Sequence, residues 1–468
     1  MEGSGSGELW ASLARHPRGR SLANAVFPNS QSRSTKRHEA RRNKSLWLGS
    51  GLLWNAPAVW IEEDDLRGFD PSKLCPTTNP RACTGDSVLR NEEVSDLSNP
   101  DVTTKYRTAA DIVNKALQKV VDACVPDADV VMLCDMGDKI MEEETGKLYN
   151  KKDKEGKKME KGVAFPTCIS VNEIVGHFSP LRGESRQLKA GDVAKIDLAC
   201  HIDGFIASAA HTIIVGGEKV TGKQADVVMA AWNAAEAALR LVQVGNRNTQ
   251  VTEAFAKIAE DFKVKPMQGV LSHQLKKHVI DGNRTIICAE TPEEKVEEFE
   301  FELNEVYSID VVMSTGEGKG KETELRNTVY KRAVENMYSL KTQKARQFIS
   351  EVNRRFPALP FTLRAIEDEQ VARVGVSEAK RHELLDEYPV LKEAHSEFVA
   401  QFKFTLLLLP GGTKKITGLA LGKLQEQAAS ELSVVDEDMK KLLATSANPK
   451  KAKKKKADKG DAKDGEEA

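Results

Sequence analysis

Along residues 101–121, Ala109, Ile112, Val113, Ala116, Leu117, Val120 and Val121 recur at helical spacing, which predicts an amphipathic helix. Residues 224–244 repeat the pattern in an alanine-rich form and stop at Gly245, a residue suited to ending a helix. A further helix is predicted from 249 to about 262. Four stretches, 191–198, 205–215, 306–313 and 397–409, are instead rich in Ile, Val, Phe and Leu and predict strands. His201-Ile202-Asp203-Gly204 lies between the first two, and Asp-Gly between extended segments is a hairpin signal. Helices and strands in one stretch of chain make this an α/β domain.

One pattern occurs twice. Gly191-Asp192-Val193-Ala194-Lys195-Ile196-Asp197 and Asn304-Glu305-Val306-Tyr307-Ser308-Ile309-Asp310 share a turn-like polar pair, a strand entry and an Ile-Asp step. Side chains alternate across a strand, so Ile196 and Ile309 face one way while Asp197 and Asp310 face the other. Duplicated halves would aim the two carboxylates at a shared cleft; two unrelated strands would leave them at the surface. The pattern alone leaves both readings open.

Composition changes the picture mainly at the two ends. The chain has 468 residues and a formal charge of −1, so nucleic-acid affinity would have to come from local patches. Seven scattered cysteines form no CxxC pair and no zinc spacing, as expected in a reducing compartment. The longest apolar runs, such as 405–409, are too short to span a bilayer, so a soluble protein without membrane insertion is expected. Residues 1–90 are rich in Arg and Ser, with no sustained period, and predict a disordered or atypical extension; a transit peptide is the other reading. A domain from 91 to 435 follows, then a helix and a disordered Lys-rich tail over 436–468.

Longer segments carry a resemblance. Phe165-Pro166-Thr167, Ser170, Asn172, His177 and Pro180 resemble the FPT-x-x-S-x-N segment of type two methionine aminopeptidases. Lys195-Ile196-Asp197 with Asp203-Gly204-Phe205 resembles their metal-bearing hairpin, and Ser314-Thr315-Gly316-Glu317-Gly318 their STG loop. Met141 to Lys147, Leu271 to Lys276, His278 to Gly282 and Phe398 to Thr405 look more like the proliferation-associated, ErbB-receptor-binding proteins, the non-catalytic branch of that superfamily. The resemblance implies a pita-bread fold with a pseudo-twofold repeat and a helical insertion at about 330–385.

An active enzyme of this type holds two divalent ions about 3.5–4 Å apart on two Asp, one His and two Glu. Laid over the chain, the resemblance keeps Asp197 and puts Ser208, Val270, Asp310 and Lys403 at the other four positions. Asp310 is a shorter carboxylate, Ser208 a neutral hydroxyl and Val270 an alkyl group. Lys403 is an ammonium that repels the cations the site would hold. A buried lysine needs partners, and Asp197 and Asp310 are the expected ones. Neither a bound metal nor another cofactor is expected. His177 and His278 match the two histidines that such enzymes turn toward substrate. A residual single-metal site on Asp197, Asp310 and either His278 or His273 is the other reading, His273 only with a shift of the chain.

Two segments suggest binding. Between 330 and 385, many Lys and Arg residues alternate with Phe348, Phe356 and Phe361, as phosphate contact plus stacking would require, although Glu351, Glu367, Asp368 and Glu369 dilute the charge. The tail run of Lys450, Lys451, Lys453, Lys454, Lys455 and Lys456 suits phosphate neutralisation or a nuclear address. Met439, Leu442 and Leu443 nearly spell an LxxLL co-regulator helix, or else cap the domain. The resemblance implies a non-enzymatic, RNA- and ribosome-associated regulator of growth, translation and ribosome biogenesis. Such a protein also binds regulatory proteins, and it resides in cytoplasm and nucleus or nucleolus. An active aminopeptidase and a binding module for protein N-termini are the alternatives.

Overall fold

The computed structural model describes residues 96–152 and 156–447. The expected N-terminal extension and the lysine run at 450–456 lie outside the described residues. The first half opens with helices α1 (Pro100–Ala123) and α2 (Val130–Gly146), then strands β1 (Lys161–Val171), β2 (Val193–Ile202) and β3 (Phe205–Ile214). The second half repeats the order with α3 (Lys223–Leu241), α4 (Asn248–Asp261), β4 (Lys265–Pro266), β5 (Leu271–Gln274), β6 (Thr285–Ile287) and β7 (Val306–Ser314). An excursion follows: β8 (Lys321–Glu322), β9 (Val329–Arg332), α5 (Gln343–Arg355), β10 (Phe361–Thr362), α6 (Glu369–Arg381), β11 (Leu385–Tyr388) and β12 (Leu391–Lys392). The chain then returns through β13 (Val399–Leu409) and β14 (Gly412–Lys415) to the short helices α7 (Leu424–Gln427) and α8 (Glu437–Ala444).

Local chemistry sets these boundaries. Asn99 caps α1 by accepting from the Asp101 amide at 3.0 Å, with Pro100 in the first turn, where no amide donor is needed. In the turn between β2 and β3, Asp203 and Gly204 have φ of 54° and 78°, the pair of positive values that a two-residue hairpin turn needs. β2 starts two residues later than predicted and runs four further, to Ile202, while β3 ends one residue short of its predicted range; every residue of both is buried.

The sheet runs β1-β2-β3-β13-β7-β5-β6, with β14 on β13 and β4 on β7. One core joins α1 and α2 to β1–β3 through Val113, Ala116, Leu117, Ile196 and Leu198. The other joins α3 and α4 to β7 and β13 through Ala231, Ala234, Ala238, Ile309 and Phe402. Ile196 and Ile309 therefore occupy equivalent places in the two halves of a pita-bread fold.

The insertion is mixed rather than helical. A three-stranded sheet, β10-β9-β11, accompanies α5 and α6. Phe348 and Phe361 are 0% and 1% exposed within its core, so they are closed to stacking on a base. Phe356 stacks on Phe361 with Arg355 over its ring. The helices touch at Gly375, where a Cβ would come within 2.3 Å of Phe348 Cβ. α8 takes the second of its two expected readings. Met439 is buried, and Leu442 and Leu443 pack beside it on the second core, so these residues cap the domain instead of presenting a docking face.

Candidate functional site

Across four strands, one row of residues crosses the sheet: Asp197 on β2 faces Ala210 on β3, Ala210 faces Lys403 on β13, and Lys403 faces Asp310 on β7. A shared row puts these side chains on one face, opposite Ile196 and Ile309. Ala210 has only a methyl group, so the lysine reaches across it. Lys403 Nζ lies 2.5 Å from Asp197 Oδ2 and 3.0 Å from Asp310 Oδ2. Gln401, two residues along on the same face, donates to Asp310 Oδ1 at 2.8 Å.

A second row beside it is made of hydroxyls. Ser208 Oγ is 2.7 Å from Ser308 Oγ, and the Ser208 amide donates to Thr405 Oγ1 at 2.9 Å. The Ser208 hydroxyl is thus committed to its neighbours.

These rows floor a cavity of about 330 Å³. Phe165, Val175, Met267, Val270, Tyr388 and Leu391 supply much of its apolar wall. His177 enters from a left-handed backbone position, φ 62°, its Nδ1 3.1 Å from the Pro389 carbonyl and its ring edge-on to Tyr388. His273 enters from β5, with Nδ1 3.1 Å from the Gly282 carbonyl.

His278 is a correction to the expected cleft pair. It does not line the cavity; its amide donates to Gly204 O at 2.8 Å, and its ring covers the hairpin turn, filling the space a Cβ on Gly204 would need. β5 ends at Gln274, so the two-residue alternation that points His273 inward does not extend to 278. Strand period gives one further signal in the sequence: Gln401, at i−2 from Lys403, had to share its face.

Burial opposes the charged form of Lys403, but Asp197 and Asp310 outweigh it and hold the ammonium pKa above its ordinary value. Burial pushes Asp197 up, with Lys403 pulling against it. Burial likewise holds His177 and His273 below the usual imidazole range, so both are neutral at neutral pH. The floor thus sets two carboxyl groups, Asp197 and Asp310, against one ammonium.

A pair of divalent ions does not fit this donor set. The ammonium sits between the two carboxylates, Ser208 bonds to Ser308, and Val270 offers no donor. Among the described residues, no group of three or more His, Cys, Asp or Glu side chains is placed to hold a metal ion. What the floor can do is hold a small cationic group, such as a primary amine, under an apolar wall.

The pattern of metallopeptidase family M24 matches residues 104–330. An ERBB-3 binding protein 1 from Solanum tuberosum is 48% identical over 80% of this chain and 95% of its own length. Proliferation-associated protein A from Dictyostelium discoideum is 46% identical over 77% of this chain and 93% of its own. Among solved structures, a thermophilic Arx1 superposes with a TM-score of 0.69 at 29% identity, covering 75% of this chain and all of that one.

Proposed function

Because the chain belongs to the family of ErbB-3-binding and proliferation-associated proteins, within metallopeptidase family M24, we propose that it binds where a metallopeptidase cuts. The observation that carries this reading is Lys403, held between Asp197 and Asp310 where the family pattern puts a metal ligand. A fixed cation there excludes the charge that a dinuclear centre needs.

Its role is that of an RNA- and ribosome-associated regulator of growth, translation and ribosome biogenesis, working in cytoplasm and nucleus or nucleolus. It also binds regulatory proteins, as the relatives' names suggest. The 450–456 lysine run supports RNA affinity and a nuclear address. Two measurements test this. Metal-loaded protein incubated with a Met-Ala-Ser peptide should release no methionine above a metal-only blank; clear turnover overturns the non-enzymatic reading. Deleting residues 450–456 should weaken binding to structured RNA and flatten its salt dependence. Unchanged binding removes the tail from the account.

The cavity favours a second reading beside the first, a pocket for protein N-termini. An apolar wall over a floor with two carboxyl groups and one ammonium suits an α-amine followed by an apolar side chain. Calorimetry with a Met-initiated peptide should give heat that N-acetylation abolishes; equal heats from both peptides refute it.

A further inference from the structure

The topology gathers lysines at the free tip of the hairpin between β2 and β3. Lys161 opens β1 opposite Ile202, and the Asp203 amide donates to Glu160 O at 2.6 Å, so the segment before β1 lies along the turn. In that segment Lys152 pairs with Lys158 across a bridge, and Lys161 Nζ donates to Asn150 Oδ1 at 2.7 Å. From the other side, the loop after β5 brings Lys276 and Lys277, locked on by His278 at Gly204.

Some of this charge is matched. Asp203 takes Lys105 at 2.8 Å and Lys277 at 3.2 Å, and Glu160 takes Lys157 at 3.0 Å. The rest is not. Among the described residues, no carboxylate lies within ion-pair distance of Lys151, Lys152, Lys158 or Lys276, all four of which are exposed. Lys161 is held below the usual lysine range, first by burial and then by the charge of Lys158, as expected where like charges crowd. Asp153, Lys154 and Glu155 add one negative charge by sequence and leave the excess positive.

We propose that this lysine-lined tip is a phosphate-binding face on the folded domain, separate from the tail, that takes the backbone of structured RNA. The proposal rests on the RNA reading above and assigns it a second surface. Phosphates fit better than an acidic protein for two reasons. Protein interfaces are depleted in lysine and built on large apolar or aromatic anchors, whereas at this tip Phe205 is 2% exposed beneath Lys105 and Lys277, Tyr149 is half-buried, and Leu148 and Val279 are only 36% and 37% exposed. Lysines on mobile stems also contact phosphates as point charges without reading bases.

The test uses the full chain and a labelled 20-base-pair RNA hairpin, with affinity measured by fluorescence anisotropy across a KCl series. Replacing Lys151, Lys152, Lys158 and Lys276 by Gln should weaken binding at least about tenfold at 0.1 M salt and make the log–log salt slope shallower by roughly two to four. The matching Arg variant should keep both. A Gln variant of the tail lysines should lower the slope independently. If the tip variant binds as the unmodified protein does while the tail variant is impaired, the tip assignment falls and the RNA reading stands. If the unmodified chain does not bind the hairpin, both fall. Displacement by polyglutamate as effective as by unlabelled RNA would assign the face to acidic peptides and overturn the proposal.

Discussion

Replacing Lys403 by Met removes the ammonium and keeps most of the side chain's length. Lys403, Asp197 and Asp310 have only 14%, 7% and 14% of their side-chain surface exposed, so the two carboxylates would be left facing each other with little water. Breaking a buried pair by deleting one partner costs about 3–5 kcal/mol. For a domain of about 350 residues, at about 2.1 cal/mol/K of unfolding entropy per residue, that is a fall in melting temperature of about 4–7 °C. The pH dependence carries a second signature. In the natural protein the raised pKa of Lys403 means its contribution is fully present at neutral pH and is lost only as pH rises through that raised value. In Lys403→Met a proton can take the place of the ammonium, so stability should recover as pH falls through the carboxylate range. Urea unfolding followed by circular dichroism at pH 7.5 and 5 reads both effects. A variant as stable as the natural protein at pH 7.5, with the same pH profile, would refute the claim that Lys403 neutralises the floor.

The remaining predictions follow from the same geometry. Manganese at millimolar concentration should leave the melting temperature of the natural protein unchanged, and triple replacement S208D, V270H and D310E with Lys403 retained should not alter that; a metal-dependent shift in the triple variant would refute the primacy of the lysine. Arg364, 2% exposed in its side chain, reaches Asp135 at 2.7 Å and Asp138 at 3.0 Å and ties the insertion to α2, so Arg364→Met should cost about 3–5 kcal/mol and speed hydrogen exchange in α5 and α6. His211 is pushed down to about 4, by burial and then by Lys415. A depressed imidazole contributes stability above its unfolded pKa of about 6.5 and loses it as pH falls toward the folded value. Between pH 7 and 5 the natural protein should therefore lose about 2 kcal/mol more than His211→Phe, read from paired urea titrations; parallel curves would refute this.

How much of this was legible in the sequence follows from the range of the forces involved. Helix periodicity predicts α1, α3 and α4, and the Asp203-Gly204 turn with its flanking strands is visible because turn dihedrals and side-chain alternation are local properties of the chain. The repeated Ile-Asp step marks Asp197 and Asp310 for one face, and the identity of Lys403 determines that a cation stands among them. Pairing register is not local. Only the sheet puts Asp197, Ala210, Lys403 and Asp310 in one row, and only there does the small side chain at 210 let an ammonium bridge two carboxylates. Strand length decides that His273 points into the cavity while His278 closes the turn outside it. Packing decides that Phe348, Phe361 and Met439 are core, although their spacing alone allowed a surface role. Lysines from four separate segments, at 105, 151–152, 157–161 and 276–277, become neighbours for the same reason: chain topology, not sequence spacing, sets which charges meet.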